Sequence, residues 1–290
     1  MKRKNNRWIS SSVKKKKFNR TVLQWFWYYG RNLPWRNTRN PYKILVSEMM
    51  LQQTQVLRVL PKYREFLGKF STVKHLAAAP LGDVLRVWSG LGYNRRAKYV
   101  WQCAQIIVGR CGGRFPHEFE ELKLLPGVGR STAAAVSTFA FGKDEPMLDT
   151  NVRRVLTRVF FQSKLPTDAG LYTFAKALIP PGKGREWNLA VMDIGALFCR
   201  AGRHDNACPL TLLHGQVKPF PYKNPQPRFT GSPRYWRGKI LAVLACRPEG
   251  YTSGAISETL GLSRRESASY IQVLRKEGLL REHKDLLRLP

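Results

Sequence analysis

The stretch that most constrains this chain is Leu125-Pro126-Gly127-Val128-Gly129-Arg130, with a carboxylate, Asp149, twenty positions beyond Gly129. Pro126 and Gly127 end an acidic amphipathic helix near Leu124. Gly129 then permits a tight turn before Ser131-Thr132-Ala133-Ala134-Ala135 restarts a helix. With glycine at both turn positions no side chain shields the backbone. The amides of Val128, Gly129 and Arg130 are expected to point outward at a helix N-terminus and to favour an anion. Many turns between helices contain Gly and Pro. Here the order is more specific: helix, glycine turn, small-residue helix, then an apolar approach, Pro146-Met147-Leu148, that delivers Asp149.

Charge says which anion to expect. Lys and Arg number 50 against 19 acidic residues, a net charge of +31, and that imbalance predicts a polyanionic partner such as a DNA backbone. A basic protein from a salt-adapted cell is the plainer reading, and the glycine turn and aromatic features weigh against it. With 43% apolar residues, most of the 290-residue chain is expected to fold, as one large core or two domains. No apolar run reaches membrane-spanning length and no signal-peptide pattern is present, so an intracellular protein, cytoplasmic or nucleoid-associated, is expected. Five scattered cysteines argue against a disulfide framework and fit a reducing compartment.

Residues 1–17 carry eight basic residues and no acid, which predicts a disordered tail that meets a polyanion. Phe18 to Tyr29 reads as a helix burying Val22, Leu23, Trp25, Phe26 and Tyr28. Pro41 to about Leu60 reads as one helix, with Glu48, Gln52 and Gln55 along one face beside an apolar stripe of Leu45, Met49 and Val56. A Glu/Gln stripe is commonly just a solvated face. A shielded Glu48 would instead hold a proton near neutrality and serve as an acid. Ser89-Gly90-Leu91-Gly92-Tyr93-Asn94-Arg95-Arg96 reads as a glycine turn exposing a tyrosine beside arginines, suited to stacking on a base and gripping its phosphate. The plainer reading is a tyrosine capping a turn. Helices are also expected around 97–109, 118–124, 130–141, 150–156 and 185–198.

A proline-rich linker at 216–232 leads to a compact module at 233–290. Its expected helices are 233–245, 252–260 and 263–278, followed by a two-stranded wing in 279–288. Ser263-Arg264-Arg265 reads as the N-cap and first turn of a recognition helix. The module resembles a winged helix, a type that contacts DNA or protein.

Residues 18–215, about two thirds of the chain, resemble the helix-hairpin-helix DNA glycosylases of the endonuclease III superfamily, and within them the adenine DNA glycosylases. The matching motifs are Leu33-Pro34-Trp35-Arg36, Pro41-Tyr42-Lys43, Ser47 to Val56, Gly90-Leu91-Gly92-Tyr93, Leu125 to Ala133 and Leu148 to Leu156. The resemblance implies a mainly α fold: a six-helix barrel at 40–148 and a second helical domain from 18–39 with 149–215. It implies catalytic roles for three residues. Glu48 protonates the adenine, Asp149 stabilises the cationic sugar and Asn151 helps orient the pair. It places DNA against Gln52, Gln53, Thr54, Tyr93, Arg95, Gly127, Val128, Gly129, Arg130 and Ser131, with Gln53 and Tyr93 wedged beside 8-oxoguanine while the adenine is flipped out. Arg36 and Asp193 would line the base pocket. Ser131 stands where bifunctional relatives have the lysine that attacks the sugar, so water is the expected nucleophile. The implied enzyme is monofunctional and leaves an abasic site. Its implied partner is duplex DNA holding adenine opposite 8-oxoguanine or guanine, and a monomer is expected.

Two departures qualify the resemblance. The family usually holds a four-iron, four-sulfur cluster on four cysteines, whereas only Cys199 and Cys208 remain here, with Asp205 and His214 where two others would fall. Two thiolates do not make a four-thiolate site. The expectation is no cofactor, the loop held by packing. A zinc site on Cys199, Asp205, Cys208 and His214 is the alternative. Most relatives also carry a larger C-terminal domain that recognises 8-oxoguanine, and this chain has the winged-helix-like module in its place. The rival functions are a thymine glycosylase acting on T·G mismatches and a catalytically silent DNA-binding protein.

Overall fold

The computed structural model describes residues 3–161, 166–200, 203–214 and 228–290, the side chains of 3–11, 203 and 204 excepted. Two units divide the chain: Met1–Ile44 with His117–Lys123 and Gly129–Asn224, and Leu45–Pro116 with Leu124–Val128 and Pro225–Pro290.

The first unit packs α1 (Arg3–Tyr29), α9 (Thr150–Phe160), α10 (Asp168–Leu178) and α11 (Gly184–Leu197) around one core. Phe18 and Val22 of α1 meet Val152, Val155 and Val159 of α9 and Trp187, Val191 and Ile194 of α11. The Phe18 ring stands edge-on to Phe160 at 5.2 Å and to Trp187 at 6.3 Å. Trp187 Nε1 donates to Asn19 Oδ1 at 2.9 Å, which satisfies its one polar atom inside the core. The short helix α7 (Phe119–Leu122) and α8 (Arg130–Phe141) also belong to this unit. Beyond α11 a short antiparallel ribbon pairs β1 (Cys199–Arg200) with β2 (Arg203–His204).

The second unit holds most of α2 (Pro41–Leu51), then α3 (Val56–Lys69), α4 (Val73–Ala78), α5 (Leu81–Trp88) and α6 (Arg95–Cys111). Its interior is built on the fully buried Phe66, Leu76, Val84, Trp88 and Ile107. The C-terminal module lies in the same unit: α12 (Pro233–Cys246), α13 (Ser253–Leu260), α14 (Arg264–Lys276) and the ribbon of β3 (Arg281–His283) with β4 (Leu286–Arg288). Three helices and a wing are what 233–290 was expected to form. Ser263 is the N-cap of α14, and Glu266 completes a capping box that the sequence reading had not named: Ser263 Oγ accepts from the Glu266 amide and Glu266 accepts from the Ser263 amide. The module is docked: α12 packs on α5, the Gly82 amide donates to the Pro290 carbonyl at 2.7 Å, and Lys98 Nζ donates to the Glu277 carbonyl at 2.6 Å.

Three expectations are corrected. Lys14 to Lys17 belong to α1 rather than to a disordered tail. Lys14 Nζ donates to the Val159 carbonyl at 2.5 Å, and Lys15 lies 5.1 Å from the Phe174 ring. Lysine stems laid on apolar surface give the basic run a helical seat. Tyr28 is not buried but 70% exposed, with Trp27 and Tyr29, because the helical period turns them away from the Phe18–Val22 stripe. The helix expected from Pro41 to Leu60 breaks after Leu51 and resumes at Val56. Glu48, Gln52 and Gln55 therefore do not share a continuous helical face. Of the linker, residues 216–227 lie outside the described residues; Ser232 caps α12, its Oγ accepting from the Tyr235 amide.

Candidate active site

Glu48 lies near the end of α2, half-buried, between the fully buried Ser47 and Met49. The α2 terminus beside it is held by Arg96. Its Nη1 donates to the carbonyls of Met49 at 2.9 Å, Met50 at 2.7 Å and Gln52 at 2.6 Å. Its Nη2 donates to Thr54 Oγ1 at 3.1 Å and the Gly92 carbonyl at 2.9 Å. A helix leaves its last carbonyls without intrahelical donors, and one planar guanidinium answers three of them here. Burial lowers the Arg96 pKa to about 10, so it stays charged at neutral pH. The reading of Arg96 as a phosphate grip is corrected: it is buried and faces inward. Arg95 is the exposed one, with Nη2 2.5 Å from the Tyr99 hydroxyl.

The chain passes Gln53 and Tyr93 with φ of 57° and 48°, a left-handed conformation that costs non-glycine residues about 1–3 kcal/mol. Such strain persists where packing over-determines it, and both residues were singled out as a duplex wedge. Tyr93 is half-buried rather than exposed. The Arg234 guanidinium from α12 lies 4.8 Å from its ring and donates to its hydroxyl.

At the glycine turn, Gly127 has φ of 71°, and a Cβ there would fall 2.5 Å from Tyr99 Cδ2, so glycine is required twice over. Gln52 Nε2 reaches the Gly127 carbonyl at 3.4 Å. One detail differs from expectation. The Val128 amide closes the turn on the Leu125 carbonyl at 3.1 Å and its side chain is buried, so it does not point outward. Gly129 is the N-cap of α8, and Arg130 and Ser131 open it. Their amides are the ones that lack intrahelical acceptors and suit an anion.

In the first unit, Asp149 caps α9. Its Oδ1 accepts from the Val152 amide at 2.7 Å and its Oδ2 from Asn151 Nδ2 at 3.1 Å. Asn151 Oδ1 accepts in turn from Arg154 Nη2 at 2.7 Å, and that guanidinium also reaches the Gly195 carbonyl at 3.0 Å and the Cys199 carbonyl. Gly195 is required for this approach, since a Cβ would fall 2.8 Å from the Asn151 Cβ. Burial raises the Asp149 pKa; the hydrogen bonds from Val152 and Asn151 and the charge of Arg154 oppose that rise without cancelling it. Asp149 and Asn151 are thus brought together as expected, while Glu48 belongs to the other unit. Arg154 and Gly195 were missed, because nothing in the spacing distinguishes them from surface and packing residues.

The base-pocket reading of Arg36 and Asp193 is corrected. Asp193 is fully buried, and both its oxygens are taken by Arg36, at 2.7 and 2.8 Å, and by Arg31, whose Nε lies at 2.6 Å. Burial would raise its pKa, but the hydrogen bonds and charge of Arg36 and Arg31 outweigh it and hold the carboxyl below its ordinary value. The pair fastens the Pro34–Arg36 turn to α11 and has no face left for a base.

The Cys199–Cys208 loop tests the family's metal. Both thiols are buried and free, and Arg158 Nη1 donates to Cys199 Sγ at 2.7 Å while Nη2 reaches the Arg200 carbonyl at 3.1 Å. Among the described residues no three His, Cys, Asp or Glu side chains gather as metal ligands, Asp205 and His214 included. Burial pushes the Cys208 thiol up to about 11. Two thiolates do not supply the donor set of a four-thiolate cluster.

With this geometry in place, comparison with known proteins is informative. Residues 46–181 match the HhH-GPD superfamily of base excision DNA repair proteins. The adenine DNA glycosylase of Mycolicibacterium smegmatis is 38% identical over 230 residues, covering 77% of this chain and 78% of that protein. The one of Buchnera aphidicola (subspecies Baizongia pistaciae) is 39% identical over 202 residues, covering 67% of this chain but 56% of that protein. The chain belongs to the adenine DNA glycosylase family. Among solved structures, a thermostable thymine-DNA glycosylase superposes with a TM-score of 0.67 at 32% identity, covering 71% of this chain and 97% of that one. An endonuclease III–DNA covalent intermediate superposes with a TM-score of 0.61 at 23% identity over 69% of this chain and 95% of that one, which shows the shared fold. Among the described residues no helix is long and apolar enough to cross a membrane.

Proposed function

We propose that this chain is a monofunctional adenine DNA glycosylase of base excision repair, acting as a monomer on intracellular duplex DNA. It binds adenine mispaired with 8-oxoguanine or guanine, extrudes it and hydrolyses the N-glycosidic bond, leaving an abasic site. The observation that carries the reading is Asp149 at the head of α9, hydrogen-bonded to Asn151, which is itself fixed by Arg154.

Each group has a defined task. Glu48 donates a proton to the adenine ring, making it a leaving group that departs neutral. Asp149, ionised, faces the positive charge that develops on the sugar, and Asn151 holds its carboxylate in place. Water completes the reaction, because Ser131 offers no amine with which to attack the sugar. The backbone amides at the α8 N-terminus take a phosphate. No iron–sulfur cluster or zinc takes part. Arg158, seated on Cys199 and Arg200, braces the loop instead.

The test is single-turnover base release from duplexes with adenine opposite 8-oxoguanine, adenine opposite guanine and thymine opposite guanine, with iron and zinc measured on the same sample. Adenine release without strand cleavage and without metal is expected. Thymine release would transfer the chain to the thymine glycosylase reading. Glu48→Gln is expected to lower adenine release at least 100-fold, the usual worth of a general acid, while mismatch binding persists. Loss of binding in parallel would make Glu48 structural.

A further inference from the structure

The docking of the C-terminal module creates a cavity of about 500 Å³ between α12 and the turn that carries Tyr93. That volume is in the range of small-ligand pockets, about 300–1,000 Å³. Gln53 and Tyr93, two of the four non-glycine residues with positive φ among the described residues, both line it. The other two, Lys284 and Asp285, form the tip of the wing. Strain of this kind, shared by two residues at one cavity, marks a place where side chains are aimed for a purpose.

The module supplies the opposite wall. Arg234 stands 4.8 Å from the Tyr93 ring and 5.3 Å from the Phe229 ring, and it donates to the Tyr93 hydroxyl. Lys239 Nζ lies 5.6 Å from the Tyr235 ring. On the barrel side, Arg58 donates to the Gly90 carbonyl at 2.5 Å, which fixes the turn. Among the described residues three cations and three aromatic rings border the cavity, and no carboxylate does. Such a lining suits a flat, acceptor-rich group that stacks on aromatic faces and carries a phosphate nearby: a nucleotide.

We infer that this cavity receives the purine opposite the excised adenine, and that Arg234 and Lys239 give the enzyme its preference for 8-oxoguanine over guanine. The inference rests on the proposed function for the identity of the duplex. 8-Oxoguanine differs from guanine by an added carbonyl oxygen at C8 and a proton at N7. The acceptor on that edge thus moves from N7 to the C8 oxygen while N7 becomes a donor, so a cation placed to meet C8 favours 8-oxoguanine. Arg234 is a positioning residue: it holds Tyr93, which inserts beside that purine. Lys239 is exposed on α12 and free to meet the C8 oxygen or its adjoining phosphate.

The test separates this site from the chemistry. Fluorescence anisotropy would measure the full-length protein binding two duplexes that hold a tetrahydrofuran abasic analogue opposite either 8-oxoguanine or guanine. No base release is involved. The wild type is expected to prefer the 8-oxoguanine duplex at least tenfold. Lys239→Ala and Arg234→Ala are each expected to cut that ratio below threefold, and Arg234→Lys to restore part of it. A merely structural loss would weaken both duplexes equally and leave the ratio intact, which would overturn the inference. So would the absence of any preference in the wild type. If Arg234→Ala fails to fold, the exposed Lys239→Ala decides alone. Failure of the wild type to release adenine, with the binding ratio present, would overturn the proposed reaction and not the pocket.

Discussion

Two aspartates, Asp193 fully buried and Asp149 half-buried, show how a single carboxyl is set to its task. Asp193 is met by two guanidinium groups and held below the ordinary aspartate pKa of about 3.9, whereas burial carries Asp149 above it. The signs of their stability contributions are opposite. Asp193 adds stability above the unfolded value that is lost as pH falls through its lowered folded pKa. Asp149 adds stability fully present below the unfolded value and lost as pH rises through its raised one. Wild-type protein is therefore expected to gain stability relative to Asp149→Asn as pH is lowered from 7 towards 4, and to lose it relative to Asp193→Asn only at still lower pH. Urea unfolding of the three proteins across that range measures both slopes. Catalysis adds a second reading: in the proposed mechanism Asp149 acts ionised, so the rate is expected to fall on the acid side at a pH above 3.9, and an acid limb below that value would assign the limb to another group.

At the scale of elements, the break between α2 and α3 matters more than either helix. Arg96 gathers three carbonyls and a threonine hydroxyl at that break, and Gly92 from the tyrosine turn. One side chain thus sets both the end of the helix bearing Glu48 and the turn bearing Tyr93. Arg96→Lys keeps the charge but cannot span the six acceptors that the guanidinium meets, the Tyr93 carbonyl on Nε included. It is expected to cost about 2–4 kcal/mol, from two or more charged hydrogen bonds at about 1.5–3 kcal/mol each with partial compensation. Denaturant midpoints, with m unchanged, would measure it, and a loss below about 0.5 kcal/mol would show the ammonium to be an adequate substitute. This break was not legible in the sequence: the apolar stripe of Leu45, Met49 and Val56 and the polar one of Glu48, Gln52 and Gln55 both run across it at helical spacing without a glycine or proline, and the signal lies in an arginine more than forty positions away. By contrast, the bounds of α8 could be read from local chemistry, with Gly129 before it and Gly142 in the left-handed region after it. So could the N-cap of α14. The Asp149–Asn151 pairing was legible because both residues sit in one short motif. The occupation of Asp193 by Arg31 and Arg36 was not, because its partners come from a distant segment more than 150 positions earlier.

For the molecule as a whole, the charge of +31 governs where it goes rather than what it cuts. Each phosphate neutralised releases counterions, so log affinity for duplex DNA should fall linearly with log salt, with a slope near −0.9 for every contact. A footprint of about six to ten contacts would weaken binding by about 10³–10⁵ between 50 and 200 mM salt. Arg130 is an exposed cation at the head of α8, held 4.7 Å from the Tyr172 ring, beside the amides argued to take a phosphate. Arg130→Ala is therefore expected to flatten the slope by about one, equally on matched and mismatched duplexes. Lys239→Ala differs in kind. If it reads the purine, it should change the ratio between lesion and guanine duplexes at every salt concentration, because discrimination between bases does not depend on the number of counterions displaced. Titrations of both variants at four salt concentrations separate the two. A salt-independent ratio shift from Lys239 with a common slope change from Arg130 would divide the surface into one part that grips the backbone and another that reads the base. Slope changes alone from both would leave the module as one more stretch of basic surface.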